Sequence, residues 1–163
     1  MQPQIEFKKV NVHPESLDSR LIWKWRNDPV TCKMSRDTEL VPWETHKTWY
    51  MQKVKEGVSV ILIASINKEP TCMIRFDYKD KDVAEINVNM NPTKRGNKWS
   101  TAILLEACRY GFAMLHLNQI YAEIKPENKP SVKIFEAVGF VLDENKNGFF
   151  QYHLNSGDLK VTI

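Results

Sequence analysis

The stretch NMNPTKRGNKWSTAILLEACRYGF, residues 89–112, decides the fold. It begins as the end of an alternating strand and turns through Pro92 and a basic run of Lys94, Arg95, Gly96 and Lys98. It continues as a helix whose apolar stripe, Ala102, Leu105, Cys108, Phe112 and Leu115, recurs at spacings of three and four. A helix N-terminus presents unpaired backbone N–H groups and the positive end of the helix dipole, so it favours an anion. Gly96 lets backbone come close to a ligand, Arg95 forks onto a phosphate, and Lys94 or Lys98 adds charge. TKRGNKWS therefore reads as a pyrophosphate cradle, with a solvated basic loop as the plainer alternative. It is neither a GxxxxGK[ST] loop nor a GxGxxG fingerprint.

Working outward, VAEINVNM (83–90) alternates as a strand. Ala84, Ile86, Val88 and Met90 share one face, and Glu85, Asn87 and Asn89 the other. That polar face reads either as the wet side of an antiparallel sheet or as a cleft wall whose Glu85 serves as a general base. Upstream, residues 4–10 form a first strand, and Ser16 or Asp18 caps a helix over LDSRLIWKWRN that Asp28-Pro29 ends. A second helix runs from Pro42 to Gly57, followed by strands at 59–66 and 70–78. Downstream come a strand at 119–125, a helix capped by Asn128 with Pro130 in its first turn and Gly139 at its end, and late strands at 149–154 and 159–163. The order is β-α-α-β-β-β-α-β-α-β-β, a mixed α/β domain with helices on a twisted sheet, one domain over residues 1–163.

The whole chain sets few further limits. With 163 residues it can bury a core without staples, and its net charge of +3 permits an anionic ligand without the basic stripe of a nucleic-acid binder. Cys32, Cys72 and Cys108 are too few and too scattered for a zinc site or a disulfide framework, so no metal is expected. No run approaches about 18 apolar residues and no apolar leader opens the chain, so a cytoplasmic protein without a membrane partner is the expectation.

The run from VNMNPTKRGNKWSTAILLEACRYGF through QIYAEIK to ENKPSVKIFEAVGF resembles the GNAT superfamily of N-acetyltransferases, and the resemblance covers nearly the whole chain. The family's cofactor signature is Arg or Gln, two residues, Gly, one residue, then Gly or Ala. Here Arg95 opens it, Lys98 replaces the usual glycine, and Ser100 the usual small residue. The resemblance implies acetyl-CoA as cosubstrate, held in a V between two parallel strands. Val88, Asn89 and Met90 would meet the pantetheine arm, and backbone amides of Arg95, Gly96, Asn97, Lys98, Trp99 and Ser100 the pyrophosphate. Asn128 matches a cofactor-contacting Asn, although plain capping also explains it, and Lys133 reaches a phosphate. A primary amine attacks the thioester with Glu85 as base, directly or through water. The position where relatives often carry a tyrosine acid is Phe135, so Tyr110, Tyr121, Tyr152 or water takes that part, or the thiolate leaves unassisted.

The N-terminal third would set the acceptor. WRNDP followed by His46 and Trp49 resembles two branches: the sugar-nucleotide N-acetyltransferases of pseudaminic-acid biosynthesis, and the RimJ/RimL N-terminal protein acetyltransferases. The length and RFDYKDKDVAEINVNMNP favour the first, with a UDP-linked aminodideoxy sugar acetylated on its 4-amino group. Trp23, Trp25, Trp43 and Trp49 offer flat faces for a ring and Arg26 a fork for a diphosphate, with core packing as the plainer role of several tryptophans. Arg26, His46, Trp49 and Asn87 are the expected acceptor contacts. A small amine or protein N-terminus is the alternative acceptor, and a degenerate acetyl-CoA binder is the non-enzymatic reading that Lys98 and Phe135 support. A homodimer is expected if FFQYHL and LKVTI form an edge strand.

Overall fold

A computed structural model of the chain describes residues 3–160. The elements are β1 (Ile5–Lys9), α1 (Leu17–Arg26), α2 (Pro29–Met34), α3 (Trp43–Lys55), β2 (Ser59–Ile66), β3 (Glu69–Asp80), β4 (Val83–Met90), α4 (Ser100–Met114), β5 (Gln119–Ile124), α5 (Lys129–Val138), β6 (Val141–Lys146) and β7 (Phe149–Asn155). The strands form one mixed sheet in the order β1-β2-β3-β4-β5-β7-β6. The α/β class and the central strand–elbow–helix are as the sequence predicts. The chain divides into two compact units. One takes the residues up to Arg75 with Val88–Arg95; the other takes Phe76–Asn87 with the residues from Gly96 on. Strands β3 and β4 run through both.

In the first unit, Ser16 caps α1 by accepting from the Ser19 amide. The core is Ile22 and Trp25 of α1, Tyr50 of α3, Ile61 and Ile63 of β2 and Met73 of β3, all buried. Helix α2 is absent from the sequence reading, which took Asp28-Pro29 only as a stop. The same dipeptide is a start: Asp28 accepts from the Thr31 amide at 3.2 Å as N-cap, and Pro29 occupies the first turn, where a missing N–H matters least.

In the second unit, α4 lies close on β3. A Cβ on Gly111 would stand 3.0 Å from the Phe76 ring. The buried face of α4 is Ile103, Leu104, Leu105, Ala107, Cys108 and Gly111, so the expected stripe is corrected: Leu105 and Cys108 are in it, while Ala102, Phe112 and Leu115 are half-buried. Strand β5 pairs in parallel with β4 from Val83↔Gln119 to Glu85↔Tyr121, and antiparallel with β7 from Gln119↔Asn155 to Ile124↔Phe150. Gly139 ends α5 at φ +123°, where a Cβ would fall 2.7 Å from the Asp158 carbonyl oxygen.

The last two strands differ from expectation. β6 and β7 form a hairpin over Asn147-Gly148, both in left-handed backbone, which suits a tight turn between twisted strands. The sequence reading missed β6 because VLDENK is exposed throughout and shows no apolar alternation. FFQYHL is therefore interior, between β5 and β6, and the edge is a charged strand of a kind that resists pairing with another chain. Leu159 and Lys160 are not strand, and the rest of LKVTI lies outside the described residues. Cys32, Cys72 and Cys108 are free and buried, and burial pushes the Cys72 thiol up to about 12. Among the described residues no helix is long and apolar enough to cross a membrane.

Candidate functional site

The elbow begins where β4 ends. Asn91 caps a short 3-10 turn, Pro92–Lys94, by accepting from the Thr93 amide at 3.1 Å and its hydroxyl at 2.9 Å. Gly96 follows at φ +82° with open space where a Cβ would stand. Lys98 lies at φ +58°, so the position where the resembled signature carries glycine keeps glycine-like backbone despite its side chain. Helix α4 then starts behind Trp99 with no side-chain cap, unlike α1, α2 and α5, which Ser16, Asp28 and Asn128 cap. Its first amides are the orphan donors that an anion satisfies.

The elbow's cations are less available than expected. Lys94 is ion-paired with Glu69. Arg95 donates to Asp28 at 2.7 Å and to the Thr31 hydroxyl at 2.9 Å. Burial raises the Asp28 carboxyl, but the hydrogen bonds from Arg95 and the Thr31 amide, with the Arg95 charge, outweigh it and hold the group below its usual range. Thr31 donates in turn to the Asn89 side-chain oxygen at 3.3 Å. The guanidinium expected to fork onto phosphate thus fastens the elbow to the cap of α2. Lys98 is exposed and has no ion-pair partner among the described residues. Val88 and Met90 are half-buried on β4. Asn97 is exposed, Ser100 half-buried, and Lys133 exposed on α5. Asn128 accepts from the Ser131 amide at 3.4 Å, which is plain capping.

Glu85 is on the half-buried polar face of β4, 3.0 Å from the Lys79 ammonium. Asn87, on the same face, donates to Asp77 at 3.3 Å. The carboxylate expected as base thus carries a counter-ion, and Asp77 and Lys79 of β3 are the neighbours that sequence reasoning missed. Phe135 is buried against Phe140 and has no proton to give. Tyr152 is fully buried and donates to Glu136 at 2.9 Å; burial, then the Glu136 carboxylate, push it up to about 12. Tyr121 is exposed.

Two of the expected acceptor contacts are engaged inside the protein. His46 is 3 % exposed, its Nε2 is 2.9 Å from the Ser19 hydroxyl, and its ring stacks on Trp43 with centroids 5.4 Å apart. Burial, opposed by the Ser19 bond, pulls it down to about 4, so it is a neutral packing residue at pH 7. Arg26 donates to the Asp37 carbonyl at 2.6 Å and to the Cys32 sulfur at 3.3 Å, which fixes the loop after α2 and occupies its fork. Trp49 is half-buried under the Arg75 guanidinium, 5.3 Å from the ring centroid. Trp25 is core, and Trp23 donates its indole N–H to the Val41 carbonyl at 2.7 Å. Among the described residues no cluster of three or more His, Cys, Asp and Glu forms a metal site.

The strand, the left-handed elbow and the uncapped helix recur in a known family. The model of the Acetyltransferase (GNAT) domain matches residues 12–141. The chain belongs to this family. An uncharacterised N-acetyltransferase p20 of Bacillus licheniformis is 30% identical over 70 residues, which span 43% of this chain and 39% of that protein. The chain thus matches about two-fifths of that relative's length. Among solved structures, spermidine N-acetyltransferase of Vibrio cholerae in complex with CoA and spermine aligns with TM-score 0.82 at 16% identity, over 95% of this chain and 97% of that one. N-acetyltransferase PseH of Campylobacter jejuni aligns with TM-score 0.73 at 16% identity, over 94% and 99%. Both likenesses are of fold.

Proposed function

We propose that the chain is an acetyl-CoA-dependent N-acetyltransferase that transfers the acetyl group directly to a primary amine of a small molecule. The observation that carries this reading is the GNAT elbow itself, left-handed at Gly96 and Lys98 and leading into an uncapped α4. Gly96 and residues 98–100 offer backbone donors for a pyrophosphate and Lys98 a charge for it. Bound acetyl-CoA supplies the activated acyl carbon. The chain's own part is to hold it, to align the amine and to take the proton that the amine loses, with Glu85 as the base.

The acceptor is first read as a nucleotide sugar, the 4-amino group of a UDP-linked aminodideoxy sugar, as the WRNDP segment suggests and the PseH fold is compatible with. With Arg26 and His46 occupied inside the protein, Trp49 and Asn87 are the acceptor contacts left to this reading. A polyamine is the second reading. Asp77 and Glu85 place two carboxylates on one polar sheet face, which suits a cation better than a diphosphate, and the Vibrio cholerae neighbour was crystallised with spermine. A thiol-release assay with acetyl-CoA and a panel of spermidine, spermine, a UDP-linked 4-amino sugar and a free-N-terminus peptide tests both. Turnover of one class names the acceptor, and no thiol release above the no-acceptor blank refutes the enzymatic reading.

A further inference from the structure

Register places three titratable groups in one line across the second unit's sheet. Glu85 of β4 pairs with Tyr121 of β5, and Tyr121 pairs with His153 of β7. Directly paired residues point to the same face, with neighbouring strands about 4.8 Å apart. The line ends at an irregularity. Val141 and Leu142 of β6 face His153 and Tyr152, but Glu144 faces Gln151, so Asp143 is the extra residue of a bulge. The bulge turns Asp143 onto His153, with its Oδ1 2.7 Å from Nδ1. A bulge that re-aims one side chain breaks ladder pairing at a place where that aim has a use.

We propose that Tyr121 and His153 carry the proton away from Glu85 during acetyl transfer, with Asp143 as the positioning residue for His153. The inference rests on the N-acetyltransferase reading above. An alkylammonium loses two protons from nitrogen as it becomes an amide; the new C–N bond forms as the C–S bond breaks. The leaving thiolate takes one proton, and one must leave the site. Glu85 accepts that proton from the amine. Through water on this open face, the Tyr121 hydroxyl takes it from Glu85 while passing its own to Nε2 of His153. A carboxylate only accepts, so the Asp143 bond puts the resting proton on Nδ1 and leaves Nε2 free as acceptor. His153 is 24 % exposed at its side chain, enough to pass the proton to water. Tyr121 and Glu123 of β5 and Asp143 of β6 flank His153, and Lys79 with Asp77 of β3 flanks Glu85. Tyr121 is the exposed tyrosine of this line, whereas Tyr152 is buried against Glu136 on the helix side.

The test compares wild type with His153→Gln, Asp143→Asn and Tyr121→Phe, using acetyl-CoA with spermidine or the UDP-linked amino sugar, whichever wild type turns over. The pH profile of kcat and the KM for acetyl-CoA are measured, with melting curves to confirm folding. The expected result is a tenfold or larger fall in kcat for His153→Gln at unchanged KM for acetyl-CoA, with one ionisation lost from the acid limb. Asp143→Asn shifts that limb without removing it, and Tyr121→Phe lowers kcat without moving it. A folded His153→Gln variant with wild-type kcat and profile overturns the inference and leaves the enzymatic reading standing. Wild type that turns over no amine overturns both. Should His153→Gln fail to fold, Tyr121→Phe decides: a wild-type kcat overturns the inference, and a tenfold fall supports it.

Discussion

His46 on α3 and His153 on β7 carry the same ring in opposite settings. His46 is enclosed by Trp43, Trp49 and Tyr50 and answers a serine; His153 is part-exposed on an open sheet face and answers a carboxylate. The first is held neutral and serves packing. The second is aimed by a bulge and keeps one nitrogen for exchange. The contrast extends to the neighbourhoods. Around α1–α3 the polar groups close on one another: Arg26 on the Asp37 carbonyl, and Asn27 on the backbone of Val41 in both directions. Along β4, β5 and β7 they line a wet face. A residue's type tells what it can do; its enclosure decides whether it does so.

The comparison breaks most sharply at Glu85. Glu85→Gln keeps the shape and removes the base, and should lower kcat about a hundredfold or more while acetyl-CoA binding changes little. Steady-state kinetics beside a binding titration check this, and unchanged turnover removes Glu85 from the chemistry. Next in size is the acid behaviour of His46. Its folded value is about 4 against 6.5 for the free side chain. Below pH 6.5 the unfolded chain therefore takes up a proton that the folded chain refuses. The stability linked to His46 is whole above about pH 6.5, falls as pH drops, and levels off near 4, a loss on the order of 3 kcal/mol. Denaturant unfolding at pH 7 and pH 4.5 should show it, and a His46→Gln variant should show a flatter dependence between them.

Asp28→Ser separates cap from ion pair. Serine still caps α2 but releases Arg95, so acetyl-CoA binding should weaken about tenfold, roughly 1.4 kcal/mol, while the melting temperature stays close to wild type. Equal affinity would mean that the elbow holds its shape without Arg95. The smallest effect is the change in stability at His153. His153→Gln should change stability by no more than about 1 kcal/mol, because a part-exposed pair contributes little. A larger loss would make the His153–Asp143 pair a structural clasp.

What could be read in advance followed from local rules. The alternation of VAEINVNM, the elbow and the periodicity after Ser100 depend on neighbours in sequence, and so do the caps at Ser16 and Asn128. Helix α2 and strand β6 were missed for different reasons. Asp28-Pro29 serves as both stop and start, and only the start side has a partner, Arg95, sixty-seven residues away. VLDENK has no buried face to alternate, although Asn147-Gly148 marked its turn. The partners of Arg95, Glu85 and Arg26 are set by tertiary contact. That is why cations expected to meet a ligand are fastened to the protein, and why His46, expected to meet the acceptor, is enclosed.

Calorimetric titration of the protein with acetyl-CoA, beside free acetate as control, is the most direct test of the central claim. Saturable binding of one acetyl-CoA per chain is expected, with no heat from acetate and a melting temperature that rises with acetyl-CoA concentration, since a ligand that binds only the native state must stabilise it. No saturable heat and no shift in melting would contradict it, because the left-handed elbow and the uncapped α4 would then hold no cofactor.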